Sequence, residues 1–504
     1  MTEHMKKIKK HEIAIFLAIM MVTYIIYTPL LTGHYATDTY NIINIGYKQY
    51  AIKNSFVDGR IFAGILEIIA SKINIPINIT VTTFTSIALL ISCISVMILK
   101  SMIINLKKEK NKFFETITTI ISYITIFNFM YVENLYYIES LVMSVSILMY
   151  ILAIREIINK EEKYQLKAII FAVIATFSYQ GTISLFLIYG FVFIIIKNKK
   201  DMKNIIKDLV LVIFIALIAF IINVLQIKII TNITGIEQER LGGIYDILLY
   251  LKTVIICFNQ MVIRDVLINS CGLFPRTLII YFIIGVLGIS IIYEIIYNKE
   301  KIILNLIEII IATLIIATAM CSINLLGYDT GRIHNEIGAL VGLMYIYLFC
   351  NSDIFIKNKI IKLSLTVILI IYMLANIINT IILLNQHKEV NKLEKELCIG
   401  LENYIEEYER ENNTKVTEAK YFREPGKESA FFNNISNKSV LTHNGVMCRW
   451  SSIGTINFYT NRKFEGEFLE NSKEIYEKYT QQKEEGYCKN FVIIENVLYY
   501  TIAI

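Results

Sequence analysis

Carboxylate, arginine and aromatic side chains occur together in several short polar segments that separate long apolar runs. The residues with the clearest chemical potential are Asp38, Asp58, Arg60, Glu133, Glu139, Tyr179, Gln180 and Arg332. Carboxylates in such a set can take a proton from a hydroxyl group. Arginines can bind phosphate oxygens through paired hydrogen bonds, and aromatic rings can stack on sugars. Together these side chains suit the transfer of a sugar from a phosphate-linked donor to a hydroxyl group.

The elements that must position these residues are membrane-spanning helices. Of the 504 residues, 55% are hydrophobic and only 18% are charged, and the mean hydropathy is +0.55. Soluble domains are about a quarter charged, and apolar runs of about 18 residues or more are long enough to cross a bilayer. This composition excludes a soluble enzyme, a disordered chain and a fibrous protein. The cysteines form no Cys-x-x-Cys pair or Cys/His cluster, so we expect no metal site in them.

The sequence predicts a polytopic α-helical membrane protein with about 11 transmembrane helices. The first apolar run, at about 13–32, follows four lysines and lacks a cleavage site, so we expect an uncleaved span with a cytoplasmic N-terminus. The other runs lie near 77–99, 113–132, 136–157, 166–179, 181–196, 208–231, 277–297, 302–325, 337–351 and 360–385. This number of spans places every lysine-rich loop in the cytoplasm and the C-terminus outside. The chemically promising segments then share the extracytoplasmic face.

Two segments must depart from simple crossing for this topology to hold. The stretch 60–75 must lie along the membrane or re-enter it, and residues 166–196 must be split at Ser178-Tyr179-Gln180-Gly181 into two short spans. External loops are then expected at 33–60 and 233–276.

A change in composition at His387 predicts a transmembrane domain over 1–386 and a small extracytoplasmic α/β domain over 387–504. The second part opens with an amphipathic helical pattern over 390–408 and closes with β-like runs at 491–494 and 497–502. It contains no aspartate, and we expect it to recognise an acceptor rather than to catalyse. For Trp450, the only tryptophan, core packing is a stronger expectation than stacking on a sugar.

Each candidate residue also has an ordinary structural explanation. Asp38 lies in a long polar loop, where an aspartate is usually solvated. Arg60 beside Asp58 can form a local ion pair, and Glu139 can cap the helix that follows it. Tyr179-Gln180 can be a plain polar break between two short helices. The functional interpretation is favoured because these residues share one predicted face of the membrane.

The order of these features resembles the GtrII-type bacterial glucosyltransferases, within the GT-C class of polyprenyl-phosphate-dependent membrane glycosyltransferases. The resemblance is carried by the acid in Thr37-Asp38-Thr39-Tyr40, by Asp58-Gly59-Arg60 before an apolar stretch, by the segment 133–139, and by Ser178–Gly181. It covers roughly residues 30–385, and an external C-terminal domain is also similar to that family. The first loop lacks a strict pair of adjacent acids, so the base is either Asp38 or Asp58.

The resemblance implies that Asp38 acts as the base on the acceptor hydroxyl and that the stretch after Arg60 is a helix parallel to the membrane. It also implies that Arg60 and Arg332, or an arginine of the 240–276 loop, stabilise the leaving phosphate. The expected enzyme moves a sugar, expected to be glucose, from polyprenyl phosphate to a cell-surface polysaccharide or glycolipid outside the bacterial cytoplasmic membrane. No cofactor and no nucleic-acid partner are expected, and whether Asp38 and Asp58 bind a divalent cation stays open.

Two other classes share part of this pattern. A polysaccharide polymerase or O-antigen ligase would also use a lipid-linked substrate and external arginines, but it would depend less on an acid in the first loop. A lipid-linked sugar transporter would place charges at the middle of the membrane. The apolar runs are nearly free of charge, and the main exception is Glu308 near the expected cytoplasmic end of its span.

Overall fold

The computed structural model describes residues 3–107, 111–198, 201–236, 285–289, 291–292, 335–351, 359–424, 444–470 and 473–502. Several sequence predictions lie outside these residues. They are the span at 302–325 with Glu308, most of the span at 277–297, most of the loop at 233–276 with its arginines Arg240, Arg264 and Arg276, and Arg332.

The chain is a helical membrane protein. Within the described residues, six helical stretches are long and apolar enough to cross a membrane, and two apolar helices are shorter. The helices up to residue 234 are α1 (Glu3–Ile26), α2 (Thr28–Leu31), α3 (Thr37–Ile45), α4 (Tyr47–Tyr50), α5 (Ile61–Ile73), α6 (Ile77–Lys107), α7 (Lys112–Ile126), α8 (Val132–Tyr136), α9 (Ser140–Asn159), α10 (Tyr164–Ser178), α11 (Ile183–Asn198) and α12 (Met202–Thr234). Later helices are α13 (Asn335–Asn351), α14 (Lys359–Asn412), α15 (Ser452–Thr460) and α16 (Lys473–Gln482).

In two predicted spans, the helix ends before the apolar run ends. The first helix, α1, ends at Ile26 because Pro29 has no N–H for the carbonyl of Ile25. The run predicted at 113–132 ends as α7 at Ile126. There the side chain of Asn376 donates to the carbonyl of Phe127 and accepts from the N–H of Phe129, both at 2.7 Å. A buried amide thus satisfies the backbone groups that the end of the helix leaves open.

The predicted split between 166 and 196 is confirmed. Helix α10 ends at Ser178, a 3-10 turn follows over Gln180–Thr182, and α11 begins at Ile183. The hydroxyl of Ser146 on α9 donates to the carbonyls of Ala175 and Tyr179, at 2.8 and 3.1 Å. The break is therefore a hydrogen-bonded junction inside the bundle.

The region predicted as the loop 33–60 contains α3, α4 and a π-helical turn over Ala51–Ser55. These elements fold because their apolar side chains have a buried surface to cover: Ile42 and Tyr50 pack with Val81 and Ile138 of the bundle. Helix α5 follows directly. Its 13 residues span only about 20 Å, too short for a hydrocarbon core of about 30 Å.

Helix α14 continues without a break through His387, where the composition changes. It runs for 54 residues, or about 81 Å. Its first half packs with the spanning helices through Leu365 and Leu369, and its second half packs with the C-terminal strands through Leu397 and Leu401. One rigid element therefore belongs to both hydrophobic cores.

The C-terminal residues form a four-stranded sheet in the order β2-β1-β4-β3. The strands are β1 (Glu418–Arg423), β2 (Glu465–Phe468), β3 (Val492–Ile494) and β4 (Val497–Ile502). Both predicted β-like runs are present as β3 and β4, which pair antiparallel around the turn at Glu495-Asn496. Strand β1 pairs in parallel with β4 and with β2.

We expect Gly342→Ala to lower the thermal stability of the detergent-solubilised protein. An added methyl group would overlap the side chain of Thr125 and lie 2.9 Å from the Thr125 Cα, so α13 and α7 would have to move apart. Such overpacking costs about 1–3 kcal/mol, which exceeds the gain of about 1 kcal/mol from alanine in a helix.

The matched control is Gly190→Ala on α11, where an added methyl would meet only the tips of the Ile154 and Val212 side chains, at 3.0 Å. On heating, the temperature at which half of this variant is no longer monodisperse should stay near that of the wild type. Equal midpoints for the two variants would contradict close packing of α7 on α13.

Candidate functional site

Arg60 is the centre of the candidate site. Its side chain is only 8% exposed. The Nη1 atom donates to both carboxylate oxygens of Glu139, at 2.9 and 2.7 Å, and Nη2 lies 3.5 Å from Oδ2 of Asp58. The guanidinium carbon lies 5.1 Å from the centre of the Tyr179 ring, a cation–π distance. The structure thus brings together residues from three of the polar segments singled out in the sequence.

Glu139 contributes a negative charge to this group from the N-cap position of α9. It occupies the residue before α9 but makes no side-chain capping hydrogen bond. Its carboxylate accepts hydrogen bonds from Arg60, so Glu139 does more than begin the helix. The position still suits an anion, because the first N–H groups of α9 carry a partial positive charge.

The turn that presents Asp58 and Arg60 is held by amide side chains of α12. Asn223 Nδ2 donates to the carbonyl of Gly59 at 2.8 Å, and Gln226 Nε2 donates to the carbonyl of Phe56 at 3.1 Å. Gly59 has φ +82°, and an added Cβ would lie 2.8 Å from Asn223. Sequence reasoning missed both amides, although polar side chains inside an apolar run are a recognisable signal.

Gln180 supports the same turn from the junction of α10 and α11. Its Nε2 atom donates to the carbonyl of Asp58 at 2.6 Å. Tyr179, the preceding residue, lies against Arg60, as described above. The segment predicted at 178–181 is therefore more than a polar break, since it orders the backbone that carries two candidate residues.

Glu67 is a further acidic residue of the site that sequence reasoning did not single out. It lies on α5 and is buried, and Ser55 Oγ donates to its Oε1 at 2.9 Å. Burial, reinforced by the negative charge of Glu139, raises the pKa of Glu67 well above its usual value of 4.5. The available signal was a lone carboxylate in an apolar helix.

Asp38 lies in the first turn of α3 and is partly exposed. Its charge acts on Tyr50 and on Glu67, and the same two residues also feel the charges of Glu139 and Arg60. Asp38 therefore belongs to the electrostatic surroundings of the Arg60 group. Asp58, by contrast, is a direct ion-pair partner of Arg60.

The structure says less about the two remaining predicted residues, Glu133 and Arg332. Glu133 is buried on the short helix α8, which packs against α9. Arg332 lies outside the described residues. Among the residues that the structure describes, no three His, Cys, Asp or Glu side chains are arranged to hold a metal ion.

Comparisons of the chain with protein-family models, with curated proteins and with solved structures found no match.

Two Glu→Gln substitutions in this site should differ in their effect on stability. Glu139→Gln removes the charge that neutralises a buried guanidinium, and breaking a buried pair costs up to about 3–5 kcal/mol. Glu67→Gln should be tolerated, because the raised pKa favours a neutral carboxyl that an amide imitates. The thermal midpoint in detergent at pH 7 should fall for the first variant and stay near wild type for the second.

The pH dependence of stability separates the same two residues. The folded protein retains the proton of Glu67 at pH values where the unfolded chain has lost it. This residue therefore makes stability fall as the pH rises above about 4.5. That part of the pH dependence should be missing in Glu67→Gln. A large loss of stability in this variant at pH 7 would show that Glu67 is ionised in the fold.

Proposed function

We propose that the protein is a membrane glycosyltransferase. It moves a sugar, expected to be glucose, from a polyprenyl-phosphate donor to a hydroxyl group of a cell-surface polysaccharide or glycolipid. The observation that carries the proposal is the buried Arg60–Glu139 ion pair at the end of the bundle where α9 begins and α10 ends, with Glu67 and Asp38 in its electrostatic surroundings. This arrangement offers a partly exposed acid beside an ordered group of buried charges.

Helix α5 supports a lipid-linked donor. It exposes Ile65, Ile69 and Ile73 on one stripe and buries Glu67 on the opposite face. A helix with this pattern fits the boundary of a membrane, with its isoleucines against lipid. A polyprenyl tail would lie along that stripe, while its sugar phosphate would reach the charged face. We therefore place α5 parallel to the membrane.

In the proposed reaction, Asp38 takes the proton of the acceptor hydroxyl as that oxygen attacks the anomeric carbon of the donor sugar. The bond between this carbon and the phosphate oxygen breaks, and the phosphate leaves with the electron pair. Asp38 is a better candidate for the base than Asp58, because Asp58 is buried in an ion pair with Arg60, whereas Asp38 is partly exposed.

Arg60 is assigned first to ordering the loop, because Glu139 already accepts hydrogen bonds from its Nη1. A phosphate would bind Arg60 in competition with that carboxylate. Arg332 and the arginines of the 240–276 loop are the further candidates for stabilising the leaving phosphate.

The proposal includes the finer topology: about 11 spans, a cytoplasmic N-terminus, and an extracytoplasmic C-terminal domain beyond residue 386. The short length of α5 supports it, since a full crossing at 60–75 would reverse every later loop. We assign acceptor recognition to the C-terminal domain. In support, Trp450 is 40% exposed, contrary to the expectation that it packs in the core, so its ring is accessible to a sugar.

Asp38→Asn should lower sugar transfer by roughly 10²–10⁴-fold, the usual contribution of general acid–base catalysis. The amide keeps the size of the side chain but cannot accept the proton, and binding of the lipid donor should change little. Transfer is measured in membranes at equal protein level with a radiolabelled polyprenyl-phosphate sugar.

Asp58→Asn is the matched control. It should cost less, because it weakens the contact with Arg60 without removing the proposed base. A nearly inactive Asp58 variant beside a normal Asp38 variant would move the base to Asp58. Normal transfer by both variants would remove the first loop from the chemistry.

The topology can be tested at Cys488, which is exposed in the C-terminal domain, whereas Cys448 is buried. In a variant lacking Cys257, Cys271 and Cys321, a membrane-impermeant maleimide should label Cys488 in intact cells whose cytoplasmic membrane is accessible. Cys488→Ser should abolish this labelling. Labelling of Cys488 only after permeabilisation would place the C-terminal domain in the cytoplasm.

A further inference from the structure

We propose that Glu394 is a positioning residue that, together with Asn391 and Tyr40, fastens helix α3 to the C-terminal part of the chain and so fixes Asp38. The catalytic part of this inference rests on the function proposed above. The mechanical part does not, because the contacts themselves are independent of any reaction.

Glu394 lies at the meeting point of three elements. Its side chain is buried on α14, and its Oε2 accepts from Tyr40 Oη of α3 at 2.8 Å and from Asn391 Nδ2 at 2.9 Å. Its Oε1 accepts from the backbone N–H of Gly445, at the start of the 3-10 turn Gly445–Met447. The bonds from Tyr40 and from Gly445 therefore hold α3 and this turn to α14.

Asn391, one turn earlier on α14, binds the backbone just before α3. The N–H of Tyr35 donates to its Oδ1 at 3.0 Å, and its Nδ2 donates to the carbonyl of Tyr35 at 2.9 Å. This pair of bonds imitates the pairing of one peptide group with another. It fixes the chain three residues before Asp38, while Tyr40 fixes it two residues after.

Helix α15 closes the same junction from the other side. Tyr459 Oη lies 2.9 Å from Tyr40 Oη. An added Cβ at Gly454 would lie 2.8 Å from the carbonyl carbon of Tyr40, and one at Gly445 would overlap the Tyr40 ring. Glycine thus allows α15 and the turn before it to contact α3 directly. The charge of Asp38 also acts on Cys448, in the segment that leads into α15.

The consequence is that the C-terminal residues help to shape the site around Asp38, besides any role in binding an acceptor. Because α14 continues unbroken from its spanning half to Glu394, the fastening also ties α3 to the bundle without a flexible linker. A proton acceptor must lie within hydrogen-bond reach of its substrate, and a displacement of about 1 Å can cost about 10²-fold in rate. Loosening α3 should therefore affect turnover.

Hydrogen exchange of the α3 amides tests the fastening without any enzyme assay. In the full-length protein in detergent, Tyr40→Phe keeps the ring but removes its hydrogen bond to Glu394. Glu394→Ala removes the acceptor of all three bonds, and Glu394→Gln retains its shape and one acceptor oxygen. We expect exchange over residues 39–45 to become about tenfold faster in Tyr40→Phe than in the wild type, and faster still in Glu394→Ala. Exchange in Glu394→Gln should be faster than in the wild type but slower than in Glu394→Ala.

The matched control is Tyr408→Phe, which also removes a tyrosine hydroxyl of the C-terminal part. Tyr408 lies on α14 and donates to Asn496 at 3.3 Å, so its loss should leave the exchange of α3 unchanged. Unchanged exchange in Tyr40→Phe and Glu394→Ala would overturn the fastening. Tyr40→Phe serves as the milder variant if Glu394→Ala does not fold.

Transfer kinetics test the positioning role. Tyr40→Phe should lower kcat while leaving the KM for the lipid donor unchanged, and Tyr408→Phe should change neither. Faster exchange with a normal kcat would show that α3 is fastened but that Asp38 does not depend on it, which would overturn the positioning role. If the wild type transferred no sugar, the proposed function and the positioning role would both be wrong, while the exchange result would still support or overturn the fastening.

Discussion

A buried guanidinium in an apolar bundle must be neutralised, and much of the site follows from how this chain meets that requirement at Arg60. The charge is shared by Glu139, the residue before α9, and by Asp58, which precedes Arg60 by two residues. Because removing one partner of a buried pair is far more costly than removing both, these residues fix one another. The start of α9 and the turn before α5 therefore cannot move independently.

Inside an apolar bundle, every interrupted helix must also find hydrogen-bond partners for its open backbone groups, because no water is there to bind them. In this chain the partners are amide side chains inside the bundle. Asn376 satisfies the end of α7, and Asn223 satisfies the turn at Gly59. Gln180 donates to the backbone carbonyl of Asp58. The irregular backbone of the site is thus tolerated because amide side chains of neighbouring helices lie beside it. This role explains why polar residues occur inside otherwise apolar runs.

The sequence predicts the parts of the fold that depend on local pattern. Apolar length locates the helices, and the polar break at 178–181 divides α10 from α11. Two β-like runs around the turn at Glu495-Asn496 locate β3 and β4. Features decided by tertiary contact were out of reach. The segment 33–60 reads as polar but becomes helical because Ile42 and Tyr50 meet a buried surface. The partner of Glu139 and the inward turn of Glu67 depend on residues distant in the chain.

The continuity of α14 shows why a change in composition is a poor guide to mechanical independence. The sequence turns from apolar to charged at His387, yet α14 passes through this position without interruption. Hydrogen bonds along α14 continue through that point, so bending there would break backbone bonds instead of flexing a loop. The C-terminal strands and the bundle therefore share one continuous helix. Contacts made one and two turns beyond His387, those of Asn391 and Glu394, can therefore hold α3 to the same helix that packs in the bundle.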